Sequence, residues 1–270
     1  MGTLASITLY AEDANQAQRG FVKAFKRIAE LDRILSDYKP DSQLSRVCDA
    51  QRPVHPDLFR VLVTAQRLAA ETEGAFDITA GPVVRIWRAA RVGKRLPDET
   101  AIAEALGRSG YRKLQMSKSD RVVRCLAPGM QLDAGGIAKG YAADEALAVL
   151  RAQGIASALV ALGGDIAASD APPGKPGWTV RAQDETLLLS HAAVSTSGDE
   201  FQFLEVDGIR YSHIVDPRTG MPLRGSRRFS VVADEAMTAD SLATAVSVLG
   251  PKRIKEIERR YRVRVIVSGP

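Results

Sequence analysis

The sequence predicts an α+β protein, in which runs of strands sit beside runs of helices without the strict alternation of a doubly wound sheet. Three observations carry that reading. Of the 270 residues, 45% are hydrophobic and 26% are charged, the balance of a globular chain that buries one large core or two smaller ones. The apolar period switches repeatedly between helical and extended spacing. No internal repeat or low-complexity segment interrupts the pattern.

The first element is a β-rich strand at residues 5–10. Phe21, Phe25, Ile28, Leu31 and Leu35 then recur at helical spacing, and the turn-like run 36–42, punctuated by Lys39 and Pro40, ends that helix. A second amphipathic helix is expected over 56–72, with Leu58, Leu62, Ala65 and Ala69 on one stripe and Gly74 where a C-cap is wanted. Residues 74–87 read as a loop leaving it. A short helix at 98–106 and a strand at 122–125 lead to LDAGGIAKGYAADEALAVL, read as a strand end at Leu132, a Gly-rich turn and a helix from about residue 137. The strand 158–162 runs into Gly163, Gly164 and Asp165, and the Pro/Gly-rich stretch 171–177 reads as a surface loop or junction. Segments 178–182, 187–189, 201–206 and 210–214 alternate like an antiparallel meander. A strand at 229–232, helices over 239–249 and on to about 261, and a strand at 263–267 complete the chain.

Several function classes are excluded by composition. The net charge is +5, but the basic residues are scattered, and the densest run, 252–264, is broken by Glu256, Glu258 and apolar positions. That is a solvated helix face. With aromatics at 6%, no basic stripe interleaved with stacking rings is available, so no nucleic-acid partner is expected. No stretch reaches the roughly 20 apolar residues of a membrane helix. The chain opens with Met1, Gly2, Thr3 and a strand, so either it has no leader or an export segment lies outside this sequence. Cys48 and Cys125 have neither a CxxC partner nor a histidine at metal spacing, and are expected to be small core or surface residues, not ligands or a disulfide scaffold.

The residues that carry chemistry fall in a few clusters. The turn from Asp133 to Gly140 is read as joining a strand to a helix, its glycines letting backbone approach a ligand where free N–H groups and the helix dipole favour an anion, and Lys139 adds a point charge. It matches neither GxGxxG nor GxxxxGK[ST]. Asp133 is placed to meet a metal, a ribose or a base edge. Asp240 and Thr244 lie four apart on one helix face, and two hard oxygens there suit Mg²⁺; the alternative is a cap or dipole partner at a helix start. His213 lies on a strand running into the Asp216–Pro217 turn, whereas His55 and His191 read as structural or exposed. The loop Ala75, Phe76, Asp77 and the hydroxyl run Ser195, Thr196, Ser197 ending at Asp199 read equally as turn chemistry or as function.

Together, MGT, LSDYKPDSQLSRV, GAFDITAGP followed by Trp87, LDAGGIAKGYAAD, LGGDI, STSGD, YSHIVDPRTGMP and MTADSLATAVSVLG resemble, in this order and over almost the whole chain, the ApbE family of FAD:protein FMN transferases. The resemblance implies a T-fold-like core with an added smaller α/β subdomain, residues 1–270 forming a single domain. It implies FAD as substrate, Mg²⁺ (or Mn²⁺) as cofactor, and transfer of FMN to a Thr or Ser hydroxyl in a motif of an acceptor protein, with AMP released. Some family members hydrolyse FAD to FMN and AMP instead, and a non-catalytic FAD-binding protein is the third reading. Met1, Tyr38, Ala75, Phe76, Asp77, Asp133, Lys139, His213 and Val215 match FAD-contacting positions, with Ile214 beside them. The Gly136 carbonyl, Asp240 and Thr244 match metal-binding positions, and His213 matches the histidine important for transfer. The chain departs from the family pattern in showing no leader or lipobox, so a periplasmic or membrane-associated place and a cytoplasmic one both stay open. It also departs in lacking a small-residue turn over 166–177.

Overall fold

The computed structural model describes residues 3–49, 52–198, 202–225 and 227–269. Strand β1 (Ala5–Leu9) leads into helix α1 (Ala14–Leu35), which Asp13 caps by accepting from Gln16 N. Two helices follow, α2 (Gln43–Arg46) and α3 (Pro56–Glu71). On α3 the expected stripe Leu58, Leu62, Ala65 and Ala69 is fully buried, and Gly74 closes the helix with φ +80°. The α1 stripe is rotated from its expected position. Gly20 and Ala24 join Leu31 and Leu35 in the buried face, and Phe25 is exposed, because the helix approaches its neighbours through its small residues.

The stretch expected to be a loop after Gly74 is instead a short 3-10 turn, Ile78–Ala80, and helix α4 (Gly81–Gly93). The loop was expected because the segment follows the Gly74 cap, yet Pro82 is well suited to a helix's first turn, where its missing N–H has no partner to lose. Val83, Trp87 and Ala90 form the buried stripe, and Trp87 Nε1 donates to the Gly220 carbonyl at 2.8 Å. Helix α5 (Glu99–Gly107) and the hairpin β2 (Leu114–Met116) and β3 (Val123–Cys125) follow. No strand ends at Leu132: residues 131–134 are irregular and held by a hydrogen bond from Asp133 N to Ile78 O.

After helix α6 (Ala138–Ala152) come β4 (Ala158–Leu162), β5 (Asp165–Ala168), β6 (Trp178–Ala182), β7 (Glu185–Leu189) and β8 (Ala192–Ser197). The last third holds β9 (Phe203–Val206), β10 (Ile209–Val215), β11 (Pro222–Arg224), β12 (Arg228–Ala233), helices α7 (Ala236–Leu249) and α8 (Ile254–Tyr261), and β13 (Arg264–Ser268). The main sheet is antiparallel in the order β1-β4-β5-β8-β12-β13. Its core lies between the sheet and α1, α6 and α7. The expected single meander is two separate sheets: β6–β7 is a hairpin packed through Trp178, Val180 and Leu189 against β5 and β8, while β9–β10–β11 packs against α4 and α5 around Trp87 and Tyr211. The hydroxyl run at Ser195 is not a loop. It is the inner strand β8; the Ser195 and Thr196 hydroxyls are satisfied within the sheet, and that of Ser197 meets Thr244. The architecture is thus the expected α+β class, with a smaller helix-and-sheet layer beside the main one.

Cys48 and Cys125 form a disulfide, against the expectation of two free thiols. The sequence hid it because the partners are 77 residues apart and meet only when β3 folds back beside the end of α2. Closing a loop of that length constrains the unfolded chain by about 4 kcal/mol. Among the described residues no helix is long and apolar enough to cross a membrane.

Candidate active site

A cavity of about 460 Å³ opens between the end of the main sheet and the smaller layer. Its walls come from the α1–α2 loop, the Ala75 loop, α4, the Gly-rich turn before α6, the β4–β5 turn, β8, β10 and α7. Tyr38, Ala75, Phe76, Asp77, Asp133, Gly136, Lys139, His213, Val215, Asp240 and Thr244 all line it, although they span more than two hundred residues of sequence. Met1 and Asp199 lie outside the described residues.

The Gly-rich turn is shaped by Asp133, whose Oδ1 accepts from Gly135 N at 2.7 Å and whose Oδ2 accepts from Arg88 at 2.7 Å. Arg88 also donates to Asp37 and lies 4.3 Å over the Tyr38 ring, so one guanidinium from α4 ties three pocket residues together. Burial, followed by the charge of Asp37, pushes the Asp133 carboxyl up, and Arg88 opposes both. Gly136 is required by packing. A Cβ there would come within 2.6 Å of Thr244 Oγ1, so the turn's backbone and the α7 hydroxyl meet only because no side chain intervenes. Gly140 lets α6 cross α7 in the same way, since a Cβ would sit 2.1 Å from the Ala236 carbonyl.

Asp240 was expected at a helix start; α7 begins four residues earlier, so Asp240 is interior to the helix and does not cap it. Its side chain is buried and accepts from Gly140 N at 3.0 Å. Lys139 Nζ lies 3.3 Å from Asp240 Oδ1, 3.1 Å from Asp165 Oδ2 and donates to the Gly135 carbonyl at 2.7 Å. Burial, followed by the charge of Asp165, pushes the Asp240 carboxyl up to about 7. Burial would lower Lys139, but Asp240 and Asp165 outweigh it and hold the ammonium protonated above the usual lysine range.

Asp77 works first for its own loop. Its Oδ1 accepts from Thr79 N and Oγ1 at 2.8 and 2.7 Å, its Oδ2 from Tyr111 N at 2.8 Å, and burial still pushes it up. Ala75 and Phe76 are buried, so this wall offers backbone and a ring edge. His213 is near the end of β10, and its Nδ1 lies 3.2 Å from the Gln202 carbonyl. A carbonyl only accepts, so in that contact Nδ1 is the donor. His55 caps α3 and His191 contacts Asp170; neither lines the cavity.

Among the described residues no group of three or more His, Cys, Asp or Glu is placed to hold a metal. Oxygen donors nonetheless converge on one wall: the Asp240 carboxylate, the Thr244 hydroxyl and the Gly136 backbone, with Asp165 nearby. A hard oxygen set with few carboxylates suits a cation that takes the rest of its octahedron from phosphates and water, as Mg²⁺ does. Sequence reasoning passed over Arg88, Asp37 and Asp165. The signal for Arg88 was the stripe Val83, Trp87, Ala90, which makes 81–93 a helix and turns Arg88 to one flank; the signal for Asp165 was a strand running into two glycines and an acid.

The model of the ApbE family matches residues 1–267. The FAD:protein FMN transferase of Salmonella typhimurium is 30% identical over 99% of this chain and 81% of its own length, and that of Treponema pallidum is 32% identical over 97% and 80%. Of solved structures, the Pseudomonas stutzeri flavinyl transferase ApbE in its apo form superimposes with a TM-score of 0.87 at 27% identity, covering all of this chain and 89% of the other. The Thermotoga maritima ApbE protein gives 0.89 at 28% identity, over 98% and 91%.

Proposed function

This chain belongs to the ApbE family and is a flavin transferase, and we propose that, with Mg²⁺, it moves the FMN half of FAD to a Thr or Ser hydroxyl of an acceptor protein. The observation that carries this reading is that a single cavity gathers every described residue matched to FAD or metal binding. Residues 1–270 act as a single domain, since the cavity's lining runs from Thr3 to Thr244.

The Gly136 carbonyl, the Asp240 carboxylate and the Thr244 hydroxyl would hold Mg²⁺, with Mn²⁺ as a substitute, and their fit rests on the contact that only a glycine at 136 permits. Thr244 Oγ1 donates to the Asp240 carbonyl at 3.3 Å and lies 3.5 Å from Ser197 Oγ, so its oxygen keeps acceptor capacity for a cation. When bound, the cation supplies charge neutralisation on the pyrophosphate, which makes AMP a better leaving group. Lys139 adds a fixed ammonium beside the same phosphates. Tyr38, Asp133 and the Ala75–Asp77 wall hold the rings and sugars, and Val215 offers backbone.

In the chemical step, the acceptor hydroxyl oxygen forms a bond to the phosphorus of the FMN half while the P–O bond to AMP breaks and AMP leaves with the bond's electrons. The hydroxyl proton goes to the imidazole of His213, which lines the same cavity. The chain needs no nucleophile of its own. The Cys48–Cys125 disulfide supports work in an oxidising compartment.

The test is incubation of protein, FAD and Mg²⁺ with and without an acceptor carrying a Thr/Ser motif. FMN bound covalently to the acceptor is the expected result. Free FMN plus AMP would identify a hydrolase, and unchanged FAD would identify a binding protein. Fluorescence titration should also give tighter binding for FAD than for FMN or riboflavin, because the proposed contacts include the adenine half and the pyrophosphate as well.

A further inference from the structure

Asp165 stands at the start of β5, directly after the Gly163–Gly164 turn, and the sheet fixes where it points. It pairs with Leu162 on β4 and with Ser195 on β8, and the Ser195 hydroxyl donates to its Oδ1. The carboxylate is thereby held in one orientation by a neighbouring strand. Its side chain is 3% exposed, the residue lines the cavity, and the other oxygen, Oδ2, is buried without accepting a hydrogen bond. Lys139 Nζ lies 3.1 Å from Oδ2, within ion-pair range but off the direction of a hydrogen bond.

A buried carboxylate oxygen left without a donor is unfavourable unless a ligand completes it. The neighbourhood makes the deficit specific. The single ammonium of Lys139 faces two buried acids, Asp165 and Asp240, so with both ionised this end of the cavity carries one more negative than positive charge. Among the contacts described, Lys139 is the one cation paired with either. Neutral oxygens from Thr244 and Gly136 border the same space. Fixed negative charge, an oxygen with open lone pairs and hard neutral donors together select a small divalent cation over a second ammonium or an anion.

We propose that Asp165, through its unsatisfied Oδ2, is a further charge-bearing member of the divalent-metal site formed by Gly136, Asp240 and Thr244. This rests on the metal reading above and adds a residue to it. Ser195 is the positioning residue that aims the carboxylate, and Lys139 shares its charge between the metal site and the phosphates.

The experiment is a titration of Mn²⁺ into the full chain without FAD, followed by electron paramagnetic resonance of the free ion, with thermal melts as a fold control. The wild type binds Mn²⁺, and Asp165→Asn weakens binding by about 10- to 100-fold, the range seen when a residue supporting a metal site is lost. Lys139→Met keeps Asp165 and removes the competing ammonium, so it binds Mn²⁺ at least as tightly as the wild type. Unchanged affinity in Asp165→Asn overturns the inference, as does a loss in Lys139→Met equal to that in Asp165→Asn, which would reduce Asp165 to an anchor for the lysine. If the wild type binds Mn²⁺ and Asp240→Asn does not, the metal reading stands whichever way Asp165 falls. A wild type that binds no Mn²⁺ removes both. Should Asp165→Asn fail to fold, Ser195→Ala takes its place: a several-fold loss supports the inference, and wild-type affinity overturns it.

Discussion

Two ends of the cavity are built on the same plan, one cation between two carboxylates, and they are satisfied to different degrees. At one end Arg88 donates to Asp37 and Asp133 through separate nitrogens and stacks over Tyr38. A planar guanidinium has several donors in fixed directions, so one group completes both acids. At the other end Lys139 is a compact ammonium, 3.1 to 3.4 Å from Asp165 and Asp240, and one acid oxygen stays without a donor. The difference is one of chemistry more than of charge count. The arginine end is finished by the protein and serves as a wall, whereas the lysine end is left for a ligand to finish.

Breaking the lysine end should have the largest effect. Asp240→Ala removes the only carboxylate offered by α7 to this wall, and Mg²⁺-dependent transfer should fall by about 10³-fold, the several kcal/mol a catalytic cation contributes. The fold should survive, since burial pushes this carboxyl up and its loss removes a strained charge. Turnover that is unchanged across a Mg²⁺ titration would move the metal away from this end.

The next largest effect belongs to the proposed proton acceptor on β10. His213→Ala should lower the saturated transfer rate by about 10²-fold with little change in FAD affinity. The wild-type rate should also fall on the acid side as the imidazole takes a proton, and the variant should lose that limb. A variant that binds FAD poorly, reacts normally once saturated and keeps the limb would make His213 a binding residue, leaving a carboxylate at the lysine end to take the proton.

How much of this contrast was legible in the sequence follows from whether each contact is local or distant. The elements of the main layer were readable because their apolar periods are strong, as in α3 and β4. The Gly-rich turn announced itself through residue type. Helix α4 was missed because the segment reads as the exit from the helix that Gly74 closes, and what holds it as a helix, Trp87 docked on Gly220, is a contact across 133 residues. Strand β8 was missed because hydroxyls usually mark turns, and here Asp165 and Ser230 satisfy them across the sheet. The arginine end was invisible for the same reason: Arg88 meets its acids 51 and 45 residues away. The disulfide closes the series, since nothing local to either cysteine betrays the other.

Breaking the arginine end should have a smaller effect than either change above. Arg88→Met leaves Asp37 and Asp133 facing each other without a cation and frees Tyr38, so FAD affinity should drop by about 10-fold, the scale of one charge-assisted hydrogen bond. The saturated rate should hold, because no reacting atom is touched. Arg88→Lys should restore little, since an ammonium cannot meet both acids and stack on the ring at once. Full rescue by lysine would erase the distinction between the two ends.

The smallest effect tests what keeps the lysine end in place. Asp144 on α6 accepts from Ala236 N and Met237 N, both at 2.8 Å, and so fixes the start of the helix that carries Asp240 and Thr244. Burial, opposed by those two N–H groups, pushes the Asp144 carboxyl up to about 6. An acid whose folded value is raised loses stability as pH increases: from about pH 4 to pH 6 the unfolded chain gives up this proton while the folded chain keeps it, and the loss persists above that window. Asp144→Asn cannot titrate and retains one of the two acceptor oxygens, so it should be less stable than the wild type at pH 4. The gap should narrow by an amount of the order of 1 kcal/mol as pH is raised to 6, discounted because the side chain is only half-buried. Urea midpoints of both proteins at intervals across that range measure it. A gap that stays constant would mean that the two N–H groups outweigh burial and keep the carboxylate ionised throughout. In that case the anchor of α7 would be as complete as the arginine end, and Lys139 with its two acids would remain the part of the site that the protein leaves unsatisfied.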